Sequence, residues 1–272
     1  MKKHSAPLRS LVTLALTVSF SAPLLADQVP TAEHSLTGNL GLFSSYRFRG
    51  IDQTFGKPAL QGGFDYSHAS GFYAGNWNSN ISSGAGYPEG NLEMDFYGGY
   101  KASFGDFGID LGSLYYYYPG TELTISNRGK THTGSVDNTE VYVAASWKNV
   151  SLKYSHAISD YFAMPGSKGT GYLDLSANYD LGDGWGINGH VGYLRFKNVS
   201  NGSFTDWKLG VSKSISGWTL ALAYIDTNAQ GSCGSSEFYC FANSLNKQNV
   251  QNGSQTKDAG RGIAVISASK TF

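Results

Sequence analysis

The chain has 272 residues, and 20 lysines plus arginines balance 20 aspartates plus glutamates, so the formal net charge is zero. A balanced charge provides no footprint for nucleic acid, and 14% aromatic residues argue against disorder. Beyond residue 26 no run reaches the roughly 18 apolar residues of a membrane helix; this excludes a helical membrane protein but not a membrane barrel, whose signal per strand is weak.

In chain order, a leader comes first. Lys2, Lys3 and Arg9 precede an apolar stretch over 11–20, followed by Pro23 and Ala26. That order predicts a secretory signal peptide over 1–26, cut after Ala26, and a mature domain over 27–272. The leader removes three cations and no carboxylate, so the mature chain is slightly acidic.

From residue 39 onward the sequence alternates with period 2, and successive strand side chains point to opposite faces. The first segment, 39–49, sets Leu40, Leu42, Ser44, Tyr46 and Phe48 against Gly41, Phe43, Arg47 and Arg49. The next, 59–67, sets Leu60, Phe64 and Tyr66 against Gln61 and Asp65. Over 72–81, Tyr73, Trp77 and Ile81 form the apolar face, against Asn76, Asn78 and Asn80. Over 91–101, Leu92, Met94, Phe96 and Tyr100 oppose Glu93, Asp95, Tyr97 and Lys101; over 107–118, Ile109, Leu111 and Tyr115 oppose Asp110 and Tyr116. Val141 and Val143 then oppose Glu140 and Tyr142, and Leu152 and Tyr154 oppose Ser151 and Lys153. Leu173 and Leu175 oppose Asp174 and Ser176, and Ile187 and Val191 oppose Asn188 and His190. Trp207 and Leu209 oppose Asp206 and Lys208, and Leu220 and Leu222 oppose Thr219 and Ala221. The last segment carries Ala264, Ile266, Ala268 and Phe272 on one face.

Twelve segments of about ten residues match an outer-membrane strand in length, and an even count returns both termini to one side. Short connections alternate with long ones at about 51–58, 82–90, 119–138, 159–170, 197–204 and 226–260, the rhythm of periplasmic turns and extracellular loops. Ionisable residues fall on the less apolar face, except His156, Arg195, Lys213 and Lys270. Trp77, Tyr100, Trp147, Tyr179, Trp185 and Trp218 lie near segment ends, where they can form interfacial girdles. A soluble sandwich would hide its apolar faces against each other. Strand length, loop rhythm and a charged polar face favour an all-β, closed antiparallel up-and-down transmembrane β-barrel of about 12 strands, set in outer-membrane lipid.

The expected lumen carries Arg47, Arg49, Lys101, Lys153 and Lys208 as cations, and Asp65, Glu93, Asp95, Asp110, Glu140, Asp174 and Asp206 as anions, with His190 among them. Such a lining can orient small polar solutes and set ion preference. Alternatively, ion pairs across a narrow barrel hold it shut, twelve strands lying between filled and open barrels. Arg47 and Arg49, about 7 Å apart on one strand face, can grip a carboxylate or phosphate, or else pair with Asp65 or Glu93. Cys233 and Cys240 are expected to form a disulfide in an oxidising compartment. No metal site or cofactor is expected, because His68, His132, His156 and His190 are scattered without ligand spacing.

Tyr46–Gly50 (YRFRG), Gln53, Lys57–Ala59 (KPA), Gln61–Gly62 and Gly71–Tyr73 (GFY) together resemble the opening of the TorF-type porin family, Gcw_chp. The likeness runs on through Asn91–Glu93, Asp95, Tyr97–Tyr100 and the terminal Ser269–Phe272. It implies an outer-membrane β-barrel with a pore function, and it carries no catalytic residues over to this chain. Phe272 also resembles the C-terminal aromatic by which the barrel-assembly machinery recognises clients, after passage through the secretion apparatus. Two alternatives stand beside passive diffusion: a closed barrel acting through loop 226–260 as adhesin or receptor, and an outer-membrane lipid hydrolase. The chain is not expected to be an enzyme, since His156 and Ser155 point to opposite faces and cannot act together.

Overall fold

Strands that carry one apolar and one polar face can cross a bilayer only when their backbone groups are all paired, which closure into a ring achieves. Twelve strands do so here, in a computed structural model that describes residues 33–272. The expected signal peptide lies outside the described residues. The strands are β1 (His34–Phe43), β2 (Ala59–His68), β3 (Phe72–Asn80), β4 (Leu92–Phe104), β5 (Phe107–Tyr117) and β6 (Asn138–Trp147). They continue as β7 (Val150–Ala157), β8 (Gly171–Gly182), β9 (Trp185–Arg195), β10 (Phe204–Ile215), β11 (Trp218–Thr227) and β12 (Ile263–Thr271). Each pairs antiparallel with its sequence neighbours, and β12 closes on β1, where Gly38 and Phe272 exchange backbone hydrogen bonds of 3.0 and 2.9 Å.

The outer surface is a belt of exposed side chains, among them Leu60, Phe64, Leu111, Val143, Leu175, Leu222 and Ile266. A broad apolar girdle of this kind is a surface for hydrocarbon, not for water. On the short-turn side three lysines lie over tryptophans: Lys148 over Trp147 at 4.8 Å, Lys213 over Trp185 at 4.9 Å and Lys270 over Trp218 at 5.7 Å. This is the interfacial position, where indole and a snorkelling ammonium both meet headgroups. It explains why Lys213 and Lys270 break the face rule.

Glycines and tyrosines interlock on the inner face. Gly75 pairs directly with Tyr97, and Gly112 with Tyr142. A Cβ on Gly75 would lie 2.4 Å from the Tyr97 ring, and one on Gly112 would lie 2.5 Å from the Tyr142 hydroxyl. The rings therefore lie flat across neighbouring glycines, which shield the backbone while the rings fill the lumen.

Two segments depart from the sequence reading. The first strand runs over 34–43 rather than 39–49, so the first long connection begins at 44. There the chain turns inward as a short hairpin, Arg47–Phe48 against Ile51–Asp52, with Arg49 (φ 49°) and Gly50 (φ 79°) in the left-handed turn. Alternation persists through Tyr46 and Phe48, but these residues pack inside the barrel, so the pattern outlasts the strand. In β3 the faces are exchanged. Trp77 lies edge-on to Tyr46 inside, 5.5 Å between centroids, while Asn76, Asn78 and Asn80 share the outer face with Phe72. The asparagines satisfy their amides on backbone carbonyls there: Asn76 donates to Asp95 O at 3.0 Å, Asn78 to Gly62 O at 3.2 Å and Asn80 to Pro58 O at 3.2 Å. The last long connection spans 228–262 rather than 226–260.

Candidate functional site in the lumen

The alternation of the strands points Asp65, Glu93, Asp95, Lys101, Asp110, Glu140, Lys153, Asp174, His190, Asp206 and Lys208 into the barrel, in two tiers. In the tier nearer the short turns, Tyr73 donates to Asp110 at 2.6 Å, and Tyr97 hydrogen bonds Asp65, to which Asn39 also donates at 3.2 Å. Lys101 lies 3.9 Å from Asp110, and Lys153 stands 3.8 Å over the Tyr142 ring.

The second tier is buried. His190 Nδ1 lies 2.9 Å from Asp174 and its Nε2 3.6 Å from Asp206, which also accepts from Tyr172 at 2.9 Å. Lys208 is the cross-strand partner of His190 and feels both carboxylates. Asp95 and Asp206 have no accessible surface at all, and Glu93 has 1%. These three side chains are closed off from bulk solvent in this conformation.

The first loop, residues 44–58, fills the tube at this level. Arg49 reaches across to Glu140 in a two-pronged ion pair: Nη2 to Oε2 at 2.8 Å and Nη1 to Oε1 at 3.0 Å. Nη1 also donates to the Tyr161 hydroxyl at 2.8 Å, and the guanidinium lies 4.2 Å over the Tyr172 ring. Burial by itself would lower the Arg49 pKa; the facing Glu140 carboxylate outweighs it and holds the pKa well above the usual arginine value. Arg47 lies at a different place. Its Nη1 donates to Ala259 O at 2.9 Å and to Arg261 O at 3.3 Å, and its Nη2 is 3.6 Å from Asp52. Burial lowers its pKa, an effect that Asp52 opposes.

The two arginines thus do not share a strand face, and neither pairs with Asp65 or Glu93. Left-handed Arg49 sends its side chain to β6, whereas Arg47 is clamped by the last loop. Both are engaged by protein groups, so they are not poised to grip a solute anion as the sequence spacing suggested. The last loop holds the plug from above: Asp52 N donates to Ala259 O at 2.9 Å and Lys257 to Phe55 O at 2.6 Å. It carries the expected disulfide, Cys233–Cys240.

Sequence reasoning did not single out the tyrosines. Tyr46, within the plug, and Tyr116 and Tyr118, on the wall around it, are buried, and Tyr73, Tyr97, Tyr142 and Tyr172 serve the lumen carboxylates and lysines. The available signal was tyrosine on polar faces. Above the plug the long loops form a cavity of about 330 Å³ lined by rings, including Phe48, Phe162, Phe196, Phe238 and Phe241. Phe162 (φ 45°) and Ala163 (φ 61°) are left-handed in succession, which thrusts Phe162 among Phe48, Tyr116 and Tyr118.

Residues 27–252 match the family described as "Bacterial protein of unknown function (Gcw_chp)". The chain belongs to the Gcw_chp family. No curated protein matches its sequence. Among solved structures it is similar in fold to the KdgM porin, with a TM-score of 0.50 at 10% identity, over 87% of this chain and 99% of that one. Two others are a KdgM porin in complex with disordered oligogalacturonate (TM-score 0.48, 9% identity, 87% and 98% covered) and the NanC porin (0.46, 11%, 88% and 99%). The Gcw_chp chain therefore has the fold of outer-membrane porins, a closed barrel with its apolar face outward.

Proposed function

We propose that this Gcw_chp chain is an outer-membrane channel for small polar solutes, with its first loop as the constriction. The observation that carries the reading is the sorting of charge. Seven carboxylates and five cations from the strands and the first loop point into a tube whose outside is apolar, and a lining of that kind serves polar cargo. The plug is a loop held by discrete contacts, so passage follows its displacement from Glu140. Within the lumen, Asp65, Lys101, Asp110 and Lys153 lie beyond the plug and would act on a solute after it passes. The exposed Phe272, directly after the last strand, suits recognition by assembly machinery. A channel is a better reading than a lipid hydrolase because His156 on the outer face is met at 3.3 Å by Tyr154, while Ser155 points inward.

Liposome swelling with sugars, amino acids, nucleosides and organic acids tests the proposal, in the wild type and in Arg49→Met. Swelling with at least one solute class, faster in the variant, is the expected result. A second reading, a closed barrel acting through its loops, is favoured by the complete burial of Asp95 and Asp206. No swelling in either protein would overturn the channel reading and favour the closed barrel.

A further inference from the structure

The barrel register sets His34, at the start of β1, directly opposite His68, at the end of β2, with ring centroids 5.0 Å apart. Glu33 reaches the same point, its Oε1 3.5 Å from His68 Nε2. One ligand atom from each of the three side chains lies within 4.8 Å of the other two, and among the described residues no other three such groups converge. Sequence spacing hides the site, because the two histidines are 34 positions apart and meet only through strand pairing. We propose that Glu33, His34 and His68 bind a divalent transition-metal ion at the short-turn rim, the periplasmic side of a bacterial barrel.

The ring environments fit ligation. His34 Nδ1 lies 2.8 Å from the Tyr66 hydroxyl, and His68 Nδ1 lies 2.6 Å from the Ser70 hydroxyl and accepts the Ser70 N–H at 3.1 Å. Both Nδ1 atoms thus have polar neighbours, and His68 Nε2 faces Glu33; a hydrogen-bond partner on the second ring nitrogen is what orients metal-binding imidazoles. With Nδ1 accepting the Ser70 N–H, the His68 ring proton sits on Nε2; ligation through Nε2 requires the other tautomer, in which Nδ1–H is donated to the Ser70 hydroxyl and the contact with the Ser70 N–H is given up. Two neutral imidazoles and a carboxylate suit a borderline cation such as zinc, and they leave a fourth tetrahedral position for water.

The test is calorimetric titration of the untagged mature protein in detergent micelles with ZnCl₂, with Cu²⁺ electron paramagnetic resonance as a second readout. The expected result is one ion per chain and nitrogen hyperfine structure from two imidazoles. His34→Ala and His68→Ala should each weaken binding at least tenfold, Tyr66→Phe less, and His132→Ala not at all. The gel-mobility change on boiling confirms that each variant is folded. Absence of saturable binding at about 100 μM zinc, or equal binding by the His34→Ala/His68→Ala double variant, overturns the proposal. Conduction plays no part in the readout, so the outcome is independent of the channel reading.

Discussion

The ion pair between Arg49 and Glu140 is the contact on which closure should depend most. Their side chains are 7% and 3% exposed, and the pair is bidentate at 2.8 and 3.0 Å. Removing one member of such a buried pair leaves the other charge uncompensated, at a cost of about 3–5 kcal/mol. In Arg49→Met that cost falls on the docked state, because Glu140 can regain water only when the loop leaves. At about 1.4 kcal/mol per factor of ten, the ratio of displaced to docked loop should rise by roughly two to three orders of magnitude. Glu140→Gln should act similarly by stranding Arg49. The double variant Arg49→Met/Glu140→Gln should return toward wild type, since a neutral pair leaves no orphan charge. Planar-bilayer recording reads the fraction of time spent conducting. Equal open fractions in the wild type and both single variants would refute the reasoning and remove the pair as the latch.

Thiol counting on the unreduced mature protein should find no reactive thiol, because Cys233 and Cys240 are joined; reduction should relax the last loop by about 2.5 kcal/mol of closure entropy, leaving the gel-mobility change on boiling intact. Gly63→Ala would set a Cβ 1.9 Å from the Asn76 carbonyl oxygen on the paired strand, and the urea midpoint should fall by an amount equivalent to about 1–3 kcal/mol. Leu222→Arg places a cation on the exposed outer face midway along β11, and unfolding in lipid vesicles should show a loss of about 2–4 kcal/mol. The same substitution at Thr219, which points inward, should cost less, and equal losses would contradict the assignment of faces.

Which side chains face lipid in ten of the twelve strands was legible from period 2, because a pleated strand converts alternation in sequence directly into inside and outside. The strand number, the loop rhythm and the disulfide were legible for the same local reasons. The first segment misled because its alternation continues into the inward hairpin, where Tyr46 and Phe48 find apolar surroundings in protein rather than in lipid. The third strand misled because polarity alone cannot say that Asn76 and Asn78 will meet neighbouring carbonyls on the outer face while Trp77 meets Tyr46 inside. Partners distant in sequence, whether across the lumen or side by side on neighbouring strands, were beyond the sequence altogether. Arg49 and Glu140 are 91 positions apart and His34 and His68 are 34 apart. Alternation fixes the face on which a side chain lies, but closure of the ring and entry of the loop decide what it meets there.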